Sequence, residues 1–351
     1  MRVPTHQHSL YGSAKFPVKH YGHSNGKNDT MATMTANAKP STPITLIGVP
    51  LDLGAENLGV DIGPSAFRYQ KIVQKLENTG FDVQDFGDIA CKARTEAVIG
   101  TDFRLKYVDE IISVSERIAN ATSQAVQAGH KSVTLGGDHS ITLGAFSGVA
   151  AGLQGKSVGM IYFDAHGDMN TADTTLTGNI HGMHLASLMG FGDKRLVNIQ
   201  QAGATLATAN LLHIAGSDWD QAELNLAEQH QLQTFSIFDL LTQGMGPLIT
   251  KIDALAEQVD ALYISLDLDS IDQIYAPGAG MPNPKGLAYR EIAALAEYIG
   301  KHCNVVGVDV VEYNPLQDID NKTAELGIEL IARFLGKDYS WYSNYLTQNE
   351  L

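Results

Sequence analysis

The sequence predicts a single three-layer α/β/α domain with a mainly parallel sheet of roughly eight strands. Three observations carry this. From Ile44 onward, short β-branched or aliphatic runs alternate with amphipathic stripes of helical period. Most of the runs are continuously apolar, as strands covered on both faces must be. No internal repeat or interdomain linker interrupts the alternation.

Residues 1–40 differ in character from the rest of the chain. The segment is polar, with few aliphatics and scattered His, Ser, Asn, Lys and Gly, and it has no apolar core of a secretory signal. It is poor in acids, as organelle transit peptides are, but Arg is scarce and no amphipathic period is present. Two readings stay open: a disordered extension, or a true start at Met31 or Met34. His6, His8, His20 and His23 read as a solvated tail. The domain then spans 41–351. Its expected strands are Ile44–Gly48, Asp82–Phe86, Ser132–Leu135, Val158–Phe163, Leu211–Ala215, Thr234–Ile237, Leu262–Leu266 and Val305–Val308. Between them, Ile111, Val114, Ile118, Ala121 and Ala125 form one helical stripe, and Ile292, Leu295, Ala296 and Ile299 another; both read as core.

Composition narrows the function. The 44% hydrophobic content suffices for a core, and no run is long enough to span a bilayer. A net charge of −15 argues against nucleic-acid binding and favours cationic ligands. The two cysteines, Cys91 and Cys303, form no metal or disulfide pattern and suit a reducing compartment, so a cytoplasmic location is expected, with organelle targeting left open.

Parallel sheets bind ligands beyond the carboxyl ends of their strands, and the polar clusters fall there. One run leads into Gly136-Gly137-Asp138-His139-Ser140, and Met160–Phe163 into Asp164-Ala165-His166-Gly167-Asp168. Three more lead into Gly216-Ser217-Asp218-Trp219-Asp220, Leu266-Asp267-Leu268-Asp269 and Asp309–Pro315. In an extended chain alternate side chains point the same way, so Asp164, His166 and Asp168 can converge, as can Asp267 and Asp269. So many acids on one sheet edge would repel one another without a cation. His139, Asp164, His166, Asp168, Asp267 and Asp269 are too many ligands for one small ion and suit two. Carboxylates and imidazoles without thiolate favour two Mn2+, with Co2+, Ni2+ or Fe2+ as alternatives. Four carboxylates balance two dications. A bridging hydroxide and Glu312 then leave the site negative, which suits a cationic substrate and disfavours phosphate.

At these residues the sequence resembles the arginase–agmatinase (ureohydrolase) family, and within it the bacterial arginases. GGDHS, DAHGD, SLDLDSID and APGAG resemble its metal-site signatures, and Gly48–Ala55 with Gly59–Ser65 its amino-terminal loops. The match runs from about Ile44 to Gly336 and implies an arginase-like fold. It implies hydrolysis of L-arginine to L-ornithine and urea by a hydroxide bridging two manganese ions. Asp164 and Asp267 would bridge, and Asp168 would also accept a hydrogen bond from the hydroxide. His181 would shuttle the proton and Glu312 hold the guanidinium. Asn170, Thr177, Asn179 and Asp220 would recognise the amino-acid end. The chemistry is sensible on its own terms: a guanidinium carbon is a poor electrophile, and its amine leaves well only when protonated. The resemblance also implies homotrimers or homohexamers.

Departures from the family pattern are Thr177 for Ser, Gln273 for Pro, and Met281 and Lys285 for Thr and Gly. None removes a ligand, but small pocket changes redirect specificity. Agmatine, a guanidino acid or free guanidine is therefore the alternative substrate. A catalytically silent subunit is the remaining class.

Overall fold

The computed structural model describes residues 42–341, apart from 202 and 204. The extension expected over 1–40 lies outside the described residues. All eight expected strands form: β1 Thr42–Val49, β2 Phe81–Asp88, β3 Lys131–Gly136, β4 Val158–Phe163, β5 Leu211–Ile214, β6 Gln233–Phe235, β7 Ala261–Asp267 and β8 Val305–Val311. They make one sheet in the order β2-β1-β3-β8-β7-β4-β5-β6, and every strand pairing is parallel. Parallel neighbours need crossovers, and helices on both faces supply them. This is why β3, β4 and β7 are buried almost throughout.

Two cores flank the sheet. One lies under helices that include Tyr289–His302 and Lys322–Phe334 and contains Phe163, Ile264, Leu295 and Phe334. The other lies under helices Val108–Gln127 and Thr142–Gly152 and contains Ile118, Phe146, Met160 and Tyr162. Both sequence stripes face these cores, as expected. Helices Val108–Gln127 and Thr142–Gly152 approach closely along Gly144, Gly148 and Gly152. A Cβ on Gly144 would sit 2.3 Å from Ser115 O, and one on Gly148 2.2 Å from Ala119 O. The row of glycines is therefore a packing requirement, and it holds the helix that begins just after His139.

The strands that carry the polar clusters are contiguous in space: β3, β8, β7, β4 and β5. Their carboxyl ends share one crevice, with β4 on the far side of β7 and β8 from β3. Several strand ends differ from expectation. Ile237, expected to close the sixth strand, opens helix Ile237–Gln243 instead, because the Ser236 side chain caps it by accepting from Asp239 N–H. The difference at β8 bears on the site. The expected strand Val305–Val308 stops before Asp309, but β8 continues to Val311 and Asp309 sits inside it, fully buried. Oη of Tyr263 (2.8 Å), Oγ of Ser265 (2.7 Å) and Oγ1 of Thr142 (2.9 Å) donate to its carboxylate. These donors offset the cost of burying a charge inside a strand. Among the described residues, no helix is long and apolar enough to cross a membrane.

Candidate metal centre and substrate pocket

The six expected ligands converge beneath the crevice. Nδ1 of His139 lies 3.0 Å from Asp164 Oδ2, 3.1 Å from Asp267 Oδ2 and 3.3 Å from Asp168 Oδ2. Nδ1 of His166 lies 3.1 Å from Asp269 Oδ2 and 3.4 Å from Asp164 Oδ1. Asp164 thus belongs to two adjoining groups, His139–Asp164–Asp267 and Asp164–His166–Asp269. Apart from His166, these residues are buried.

Proton placement tests whether cations fit. Ser265 Oγ donates to Asp309, so it accepts from Nε2–H of His139 at 2.9 Å. In neutral His139 this leaves Nδ1 a bare lone pair facing three carboxylates. Asp164 Oδ2, although near that nitrogen, has no hydrogen-bond donor of proper geometry. Converging acceptors without hydrogens need a proton or a cation between them. With no cation, a proton takes the place. Burial opposes charging His139, but the carboxylates of Asp164, Asp168 and Asp267 around Nδ1 outweigh it and hold its pKa well above the ordinary value. Burial likewise opposes charge on Asp164, while His139 and His166 pull it well below the carboxylate range. Burial and the neighbouring acids push Asp267 well up and Asp269 up to about 6. An oxygen-rich donor set with two imidazoles and no thiolate fits two hard divalent ions.

The expected substrate residues line one cavity of about 630 Å³ above this cage. Its walls include His166, Asp168, Asn170, Thr177, Asn179, His181, Asp220 and Glu312. Asp168 and Glu312 adopt left-handed backbone conformations, φ 53° and 59°. Such strain in non-glycine residues clusters at functional sites. Oε1 of Glu312 accepts from the backbone N–H of His139 at 2.9 Å and lies 3.2 Å from Nδ1 of His181. Burial disfavours charge on His181, but Glu312 outweighs it and raises the pKa to about 9. Toward the mouth, Asn170 Nδ2 donates to Asp220 Oδ2 at 2.7 Å, which leaves the buried Asn170 Oδ1 without a partner. Asp220 is also the N-cap of helix Gln221–Gln229, accepting from the N–H groups of Ala222 and Glu223. Thr177 is exposed at the rim, and its hydroxyl accepts from Asn179 N–H at 3.2 Å. Of the departures, Met281 lines this cavity, while Lys285 lines a neighbouring one.

Several site residues carry no signal in the sequence motifs. Tyr162 Oη donates to Asp168 at 2.8 Å and lies 3.2 Å from His184 Nε2, whose Nδ1 donates to the carbonyl of His181 at 2.6 Å. Glu223 lies under Gly167, and burial raises its pKa to about 7. Its only sequence signal is the capping-box spacing from Asp220. Tyr162 and His184 look like core in sequence, and core is where they lie.

Comparison with known proteins agrees with this geometry. The Arginase family model matches residues 42–336. An arginase of Brevibacillus brevis is 37% identical over 294 residues, which is 84% of this chain and 97% of that protein. The crystal structure of native Bacillus caldovelox arginase superposes with a TM-score of 0.81 at 36% identity, covering 85% of this chain and all of that one. An Entamoeba histolytica arginase solved with L-ornithine gives a TM-score of 0.78 at 28% identity, with 85% of this chain and all of that one covered. With a family model over most of its length and a fold matching solved arginases, this chain belongs to the arginase family.

Proposed function

We propose that residues 41–351 form a binuclear-manganese amidinohydrolase that converts L-arginine and water to L-ornithine and urea. The observation that carries the reading is Glu312 beside His181 in the cavity wall, above a cage fitted for two cations. His139, Asp164, Asp168 and Asp267 would hold one ion, and Asp164, His166, Asp267 and Asp269 the other. When bound, the ions supply a water of lowered pKa, hence a nucleophile at neutral pH.

The chain's own groups do the rest. Glu312 is fixed by the His139 N–H and offers a carboxylate to the guanidinium, orienting its carbon toward the cage. As the carbon gains oxygen, its bond to the side-chain nitrogen breaks, and that nitrogen needs a proton. His181, held 3.2 Å from Glu312, is placed to supply it. At the mouth, Asn170 Oδ1 and Asp220 offer acceptors to an α-ammonium group. L-Ornithine is the ligand named for the Entamoeba arginase, which fits the same reading.

Agmatine, a guanidino acid or free guanidine is the second reading. It is favoured by Met281, an apolar side chain on the cavity wall where the family pattern has Thr. Family membership supports assembly into homotrimers or homohexamers. A cytoplasmic location is supported by two free, half-buried thiols. A urea-release panel over guanidino compounds, with metal analysis of the same sample, tests the function. Urea from arginine is expected; urea from agmatine or guanidine alone would overturn the reading.

A further inference from the structure

Beside the cage, one phenol hydrogen faces three acceptors. Tyr162 lies two residues before Asp164, at the end of β4, so the two side chains leave the strand on the same face. Its Oη lies 2.8 Å from Asp168 Oδ2, 3.1 Å from His139 Nδ1 and 3.2 Å from His184 Nε2. A phenol has a single hydrogen to give. We propose that His184 is a positioning residue for the metal centre: when the cage is loaded, it takes the hydrogen of Tyr162 and so releases Asp168 Oδ2 to the ion. This rests on the reading of the cage as a two-cation site.

The backbone decides which nitrogen of His184 is free. His184 opens helix His184–Leu188, and its Nδ1 lies 2.6 Å from the carbonyl oxygen of His181. A carbonyl only accepts, so the imidazole hydrogen is on Nδ1 and Nε2 keeps a bare lone pair. The ring is fully buried, and a dication nearby disfavours a second proton on it. The bond to His181 also fixes how the ring is turned, so Nε2 stays directed at the phenol.

The exchange follows from the strengths of the three acceptors. Without a cation the hydrogen goes to Asp168, the charged acceptor and the nearest. His139 Nδ1 faces Asp164, Asp168 and Asp267, so a cation among them claims the lone pairs of His139 and Asp168 together. Its charge also repels the phenol hydrogen. His184 Nε2 is the acceptor that remains within reach. An uncharged side chain with no acceptor at that place would leave the hydrogen on Asp168 or pointed at the ion. Either arrangement works against loading.

Calorimetric titration of the full-length, metal-stripped protein with manganese tests this. His184→Asn keeps an N–H near the place of Nδ1 but has no atom at Nε2, and should bind manganese about tenfold more weakly. His184→Gln, whose carbonyl oxygen reaches the place of Nε2, should recover most of that loss. Tyr162→Phe removes the hydrogen that needs an acceptor and should bind manganese at least as tightly as wild type. In a Tyr162→Phe background, His184→Asn should then change the affinity by no more than about twofold. Unchanged affinity in His184→Asn would overturn the proposal, as would weaker binding in Tyr162→Phe. A double variant as weak as His184→Asn alone would overturn it too, because His184 then acts on the ion or on packing and not through the phenol. Variants that melt like wild type are compared, and Tyr162→Phe, which loses one oxygen, decides by itself if His184→Asn does not fold. Failure of the two-cation reading looks different, because the wild type then takes up fewer than two manganese ions.

Discussion

Ser265 offers a sharp test of how the cage is held. Its hydroxyl links His139 Nε2, at 2.9 Å, to Asp309, at 2.7 Å. Ser265→Ala removes a buried oxygen of small volume, so packing changes little. Two polar groups then lose a partner. Asp309 keeps Tyr263 and Thr142 but loses the third of its donors, a cost of about 1.5–3 kcal/mol for a bond to a buried charge. His139 loses the acceptor that keeps the proton on Nε2, so Nδ1 is no longer reserved as the lone pair facing Asp164, Asp168 and Asp267. Partners of this kind affect metal affinity by about 10–100-fold. Calorimetric titration with manganese, together with urea unfolding of the metal-free protein, reads both effects. Manganese affinity within about twofold of wild type would refute the reasoning about proton placement, whatever the change in stability.

Other expectations concern the pocket. His181→Ala should lower turnover while leaving metal content intact, and unchanged turnover would remove its role as proton donor. Because His181 carries its proton below about pH 9 in the absence of cations, and nearby cations pull that value down, kcat should fall on an alkaline limb at or below pH 9. A profile flat well beyond that pH contradicts the assignment. Asp220→Ala should raise KM for arginine far more than for agmatine; equal effects would contradict an α-amino role. The same change removes a helix N-cap and should cost about 1 kcal/mol in unfolding experiments, whereas Asp220→Asn keeps the cap and isolates the charge.

The sheet is legible in the sequence because its signal is local. Met160–Phe163 is apolar on both faces, and Leu262–Leu266 is so apart from Ser265, as suits strands buried on both sides. The metal set is legible because its acids and histidines cluster directly after strands, but the extended geometry expected of Asp164–Asp168 and Asp267–Asp269 is not what joins them: Asp168 turns left-handed, with φ 53°, and Asp269 lies in the 3-10 turn Leu268–Ser270. The misplaced end of β8 has the opposite cause. Asp309 looks like the start of a loop until Tyr263, Ser265 and Thr142 arrive from other elements to hydrogen-bond it. Tyr162 and His184 escape notice for the same reason, since what distinguishes them from ordinary core is a partner distant in sequence.

The claim on which the chemistry depends is that six side chains from separate strand ends enclose a pair of divalent ions. Anomalous diffraction at the manganese edge, from crystals grown with the metal, tests it most directly. Two peaks are expected, one among His139, Asp164, Asp168 and Asp267 and one among Asp164, His166, Asp267 and Asp269. A single peak, or none between these residues, would contradict the two-ion cage.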